Sequence, residues 1–271
     1  MEADAQSRKG EAPAVAQPSL DNSFVVREGT KSDITCMVVD NKGNVYAAGV
    51  SDRKYVIFKL DSSLRTIQEM VKFGSARAMD TITDMAVDSK GNIFITGFND
   101  SKDFPVTEGC YDDVLTTKGS VSSEEAFVTK FSPGLKLLAS TFVGGDGNER
   151  AHAIAIDRHD AIYVAGYSEG VNPKYRRNFI LPPGAYDAKP APANQTKAFV
   201  AKLSNDLTTL LAATLLGGNM KKYDSDDEAY DLEIGSDGNV WVAGQSNSED
   251  FPVTSVCLEP FYSGRGDVFV S

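Results

Sequence analysis

Apolar and polar residues alternate along this chain in short runs, and the runs recur in a fixed order. In Val38–Gly49 one alternating run reaches Asp40-Asn41-Lys42-Gly43-Asn44, and a second run follows at once. The same arrangement repeats in Ala86–Gly97, Ala155–Gly166 and Glu233–Gly244. A period of two marks half-buried strands. The Asp-x-x-Gly-Asn centre marks the turn between them, with a side-chain acceptor at its start and a glycine for positive φ. Two further strands follow in each copy: residues 55–60, 126–131, 198–203 and 268–271, then residues 67–73, 137–143 and 210–216. The pattern predicts an all-β chain of four-stranded antiparallel units with no helix longer than about two turns.

The centres Gly43, Gly91, Asp160 and Gly238 are 48, 69 and 78 residues apart. The strand cores keep their lengths, so the extra residues fall in loops. Recurrent four-stranded sheets of this kind predict a β-propeller, each blade burying both faces against its neighbours. Met37 and Val39, Met85 and Val87, Ile154 and Ile156, and Leu232 and Ile234 should share one face of their first strands. Trp241 is in register with Tyr46, Phe94 and Tyr163 and reads as a core residue. The fourth copy stops inside its third strand. Ser23-Phe24-Val25 matches Thr141-Phe142-Val143, so residues 21–28 are expected to complete the last blade and close the ring. The expected blades are 34–74, 82–145, 151–218, and 229–271 with 21–28. Residues 1–20 read as a flexible leader.

Ser101-Lys102-Asp103-Phe104-Pro105-Val106-Thr107 and Ser248-Glu249-Asp250-Phe251-Pro252-Val253-Thr254 resemble the SBBP family, a β-propeller repeat of mostly bacterial surface and secreted proteins. Gly109-Cys110-Tyr111-Asp112, Gly184-Ala185-Tyr186-Asp187 and Ser140-Thr141-Phe142-Val143-Gly144-Gly145 extend the resemblance over residues 34–271. The first copy lacks the Phe-Pro-Val-Thr segment, and the third replaces it. The resemblance implies the propeller fold and an exported chain whose signal segment is absent from this sequence, with a cytosolic location as the alternative. It supplies no catalytic residues.

Charge narrows the partners. With 27 Lys and Arg against 38 Asp and Glu the formal charge is −11, which disfavours nucleic acid. No apolar stretch is long enough for a spanning helix. Three cysteines make no closed disulfide framework and read as free thiols.

Antiparallel order puts the long loops and the interblade connections on one face, where a binding site is expected. Tyr111, Tyr167, Tyr175, Tyr186 and Tyr223 fall there and offer amphipathic rings to a protein or glycan. Tyr111 and Tyr186 also recur in register, so they could instead plug gaps between blades. Asp80, Glu149 and Asp227 are placed two residues before their inner strands. Either they ring the channel mouth and bind a cation such as calcium, or they cap turns. Arg150 and His152, beside Glu149, are the one grouping of cation, base and acid near the mouth. The expected function is non-catalytic recognition or scaffolding through the long-loop face, no cofactor being required. The alternative is a cation-dependent hydrolase or lyase at the channel mouth.

Overall fold

The computed structural model describes residues 32–77, 80–115, 124–171, 179, 181–219, 226–258 and 266–271. These residues form strands and loops only. The first sheet holds β1 (Ser32–Val39), β2 (Val45–Ser51), β3 (Lys54–Leu60) and β4 (Ile67–Phe73). The second holds β5 (Thr81–Val87), β6 (Ile93–Asn99), β7 (Glu125–Phe131) and β8 (Leu137–Val143). The third holds β9 (Glu149–Ile156), β10 (Ile162–Glu169), β11 (Thr196–Leu203) and β12 (Leu210–Leu216). The fourth holds β13 (Asp227–Ile234), β14 (Val240–Ser246) and β15 (Asp267–Val270). Each sheet is antiparallel in sequence order, as propeller blades require.

The turn chemistry follows the repeat. Asp88 accepts the backbone N–H groups of Lys90 (2.9 Å) and Asn92 (2.8 Å) and the Asn92 side-chain amide (2.8 Å). Asp40 and Asp157 serve the first and third blades in the same way. Two copies depart. In the third blade Asp160 takes the glycine's left-handed position at φ 61°, and its carboxylate accepts the N–H and hydroxyl of Ser89 on the second blade. In the fourth, Gly235 stands where the capping Asp is expected, and Asp237 accepts from Asn239 instead.

Every inner strand carries one extra residue. Thr35, Thr83, His152 and Tyr230 have no partner in the register of β1, β5, β9 and β13, and each lies beside a glycine of the second strand: Gly49, Gly97, Gly166 or Gly244. Such a bulge bends its strand and re-aims one side chain. The glycine is obligatory. A Cβ at Gly97 would stand 2.1 Å from the Thr81 carbonyl oxygen, and one at Gly166 would stand 1.9 Å from that of Arg150. Two of the re-aimed side chains tie neighbouring blades together. Thr35 donates to the Ile82 carbonyl, and Thr83 to the Ala151 carbonyl at 2.8 Å.

The core lies between sheets. Ile82, Met85 and Phe127 of the second blade pack with Tyr46, Tyr55 and Ile57 of the first. Phe94, Ala126 and Val128 pack with Ala151 and Ile154 of the third. Ala153, Ala165 and Ala198 of the third pack with Leu232 and Val242 of the fourth. The inner strands thus pack β1 on β5, β5 on β9 and β9 on β13, whereas β13 does not pack on β1 in this way. Ring closure is not seen among the described residues, and residues 21–28, expected to close the ring, lie outside them, as do residues 1–20.

This corrects two expectations. Met37 and Val39 share the face of Met85 and Val87, but they are exposed, Met37 by 61%. Trp241 keeps the register of Phe94 and Tyr163 yet is 52% exposed. Both sit at core-forming positions on faces that no described blade covers.

Gly97→Ala should cost about 3 kcal/mol or more, because the methyl group meets backbone that cannot move without losing the bulge. Chemical denaturation measures this. Asp88→Ala should cost about 2 kcal/mol, since it removes a buried carboxylate and leaves part-buried turn N–H groups without it, whereas Asp237→Ala in the exposed fourth turn should cost less than about 1 kcal/mol.

Candidate functional site

The bulge position that holds a threonine in the first two blades holds an aromatic ring in the last two. His152 lies 5.6 Å from the ring of Tyr230, and 5.8 Å from that of Tyr167 on β10. Its Nε2 is buried without a hydrogen-bond partner among the described residues. Burial, with the Arg150 charge beside it, lowers its pKa to about 4, so the imidazole is neutral at pH 7.

Arg150, two residues earlier on β9, crosses to the second blade. Its guanidinium donates twice to Glu124, from Nε at 2.5 Å and Nη2 at 2.9 Å, and lies 4.3 Å from the ring centroid of Phe98. Desolvation opposes this charge, but the Glu124 bonds prevail and its pKa is raised. Burial raises Glu228, opposed by its hydrogen bond with Tyr230 and by Arg150. Tyr167 is also raised, burial again being the largest cause. Three blades therefore converge at the start of β9 and β13, on the long-loop side: Phe98 and Glu124 from the second, Arg150, His152 and Tyr167 from the third, Glu228 and Tyr230 from the fourth.

Comparison with known families supplies a name for the repeat. The SBBP model, a beta-propeller repeat, matches residues 73–105, from the end of β4 to the Phe104-Pro105 segment after β6. The chain carries an SBBP β-propeller repeat. No curated protein matches it. Among solved structures, a protein of unknown function from Bacteroides caccae is 11% identical with a TM-score of 0.42, over 80% of this chain and 57% of the other. The extracellular domain of BT4673, a one-component-system candidate from B. thetaiotaomicron, is 9% identical with a TM-score of 0.29, over 80% of this chain and 27% of the other. The chain thus spans less than two thirds of either.

The remaining expected site residues lie elsewhere on the scaffold. Tyr111 is half-buried against the core between the second and third blades, as a plug would be. Tyr186 is 74% exposed and plugs nothing. Tyr175 and Tyr223 lie outside the described residues. The acids stand closer to their strands than the repeat spacing suggested: Asp80 immediately precedes β5, while Glu149 and Asp227 open β9 and β13.

All three acids are buried, each in its own net. Asp80 accepts from the N–H groups of Arg77 (2.8 Å) and Asp100 (3.2 Å). Asp227 accepts from the Gly218 N–H (2.8 Å) and the hydroxyls of Ser246 (2.5 Å) and Ser248 (2.8 Å). Glu149 accepts from the Ser168 hydroxyl (2.9 Å), while its second oxygen has no partner among the described residues. No group of three or more His, Cys, Asp or Glu suited to a metal ion occurs among the described residues. Burial raises all three carboxyls, Asp80 to about 6 and Glu149 to about 8. Neighbouring acids add to this, Asp100 for Asp80, Glu169 and Asp146 for Glu149, and Asp250 for Asp227.

The sign of the resulting pH dependence is fixed. Folded Glu149 keeps a proton that the unfolded chain releases near 4.5, so its contribution to stability falls as pH rises through about 8. His152 acts in the opposite sense, its contribution falling as pH drops from 6.5 through about 4. Between pH 6.5 and 8 the Glu149 contribution stands apart. Glu149→Gln, which mimics the protonated acid and still accepts from Ser168, should flatten the decline in denaturation midpoint across that window.

Proposed function

We propose that this chain is a non-catalytic recognition module, and that it binds a protein or glycan on the long-loop face at the cluster around His152. The Nε2 of His152, buried and without a hydrogen-bond partner among the described residues, carries this reading. It supplies a neutral hydrogen-bonding atom between the rings of Tyr167 and Tyr230, a setting suited to a hydroxyl or amide presented beside an apolar surface. The Arg150–Glu124 pair holds the rim: a bidentate ion pair stacked on Phe98 fixes the second blade against the third. A neutral imidazole beside an arginine already committed to a carboxylate favours recognition over proton transfer.

The resemblance of the chain to a family of mostly surface and secreted proteins supports an exported location and an extracellular partner. Among the described residues no helix is long and apolar enough to cross a membrane. The net charge of −11 favours a neutral or basic partner over nucleic acid.

Binding of the purified chain to a glycan array and to extracellular protein fractions tests this reading. His152→Ala and Tyr167→Ala should each weaken the partner so found by about tenfold or more, with an unchanged circular dichroism spectrum. Binding indifferent to both substitutions would place the recognition surface elsewhere.

A further inference from the structure

Among the described residues, the first and fourth blades present opposite halves of a junction that recurs three times between neighbouring blades. Each junction joins the trailing face of one blade to the leading face of the next. The leading half is a pair of apolar residues on the inner strand, Ile82 and Met85 in the second blade, Ala151 and Ile154 in the third, Ala229 and Leu232 in the fourth, all buried. The trailing half comes from the second and third strands: Phe94, Ala126 and Val128 in the second blade, all buried against the third. Where Asp84 occupies the residue after the bulge, it accepts the Met85 N–H on its own strand and the Ile154 N–H across the junction, at 2.8 and 2.9 Å.

The fourth blade repeats that trailing half with nothing described against it. Trp241 stands at the position of Phe94, Val268 at that of Ala126 and Val270 at that of Val128, exposed by 52, 82 and 68%. Asp231 stands at the position of Asp84, and one of its oxygens already accepts the Leu232 N–H as Asp84 accepts Met85. The first blade shows the matching leading half. Ile34 and Met37 occupy the positions of Ile82 and Met85, with the same side chains and the same bulge after the first of them, and both are exposed. They flank the buried Val56, Phe58 and Leu60 of that face.

We propose that the trailing face of the fourth blade binds the leading face of the first blade of a second copy of this chain. The contact is a fourth copy of the internal junction: Ile34 and Met37 of one protomer cover Trp241, Val268 and Val270 of its partner, and Asp231 accepts the Met37 N–H as Asp84 accepts that of Ile154. Faces of opposite kind at the two ends make the contact heterologous, so two copies close when both junctions form at once. The described blades of two copies make eight, within the range propellers adopt. Closure also removes the exposed apolar ends, which otherwise invite open-ended association.

Trp241 is the single tryptophan of the chain, so intrinsic fluorescence reports this face alone. Sedimentation of the full chain should show twice the monomer mass, and dilution should shift tryptophan emission to the red as the mass halves. Met37→Glu and Trp241→Glu alter exposed side chains and should each raise the dissociation concentration by about tenfold or more with unchanged circular dichroism. A mixture of the two variants should regain association, because one junction in the mixed dimer is intact. A monomer with buried tryptophan would show that the chain covers its own end, and a monomer with exposed tryptophan that the face needs another occupant. Either result overturns the proposal, as does a dimer insensitive to both substitutions.

Discussion

Each blade depends on one backbone event, an extra inner-strand residue lodged beside a glycine of the second strand. The extra residue breaks the two-residue period of the strand and turns one side chain out of the sheet. It also brings the inner-strand carbonyl so close to the second strand that only glycine fits. Structural tie and candidate site are then two uses of the same position. A threonine hydroxyl there spans to the next blade, whereas His152 and Tyr230 bring their aromatic rings together. Chemistry has entered where the repeat gives up a tie between blades, and the array tolerates this because core packing also joins the third and fourth sheets.

Much of the fold is legible in the chain because its signals are local. An Asp followed three residues later by Gly-Asn fixes a turn wherever it occurs, and the alternating runs fix strand faces. The glycines at the ends of the second strands are equally visible, but their reason is a carbonyl on another strand. Trp241 shows the same limit from the opposite side: its register is correct, and its burial depends on a neighbour that register cannot reveal. Tyr111 and Tyr186 occupy equivalent positions too, yet only Tyr111 meets a core.

The site was legible only where its parts are adjacent in sequence. Arg150 and His152 share a strand, and their types suggest chemistry. Phe98 and Tyr230 come from strands of two other blades and Glu124 from the loop before β7, so only the array brings them to Arg150 and His152. No local signal marks Glu124 as the partner of Arg150: it is the first of two consecutive glutamates, and the second opens β7.

The buried acids show how position outranks formal charge. Asp80, Glu149 and Asp227 recur where the connection between blades enters the inner strand, and a recurring carboxylate beside a channel suggests a cation. Burial supplies another solution, because the neutral acid loses far less on leaving water than the anion does. Backbone N–H groups and serine hydroxyls then compete with burial, differently in each blade. Asp227 accepts from three donors, whereas the second oxygen of Glu149 has no partner among the described residues. One register position thus yields acids of unequal strength. Depth of burial is the first cause, and the donors that reach each carboxylate from the connecting segment and from the second strand oppose it, both fixed by the fold and invisible in the spacing of the acids.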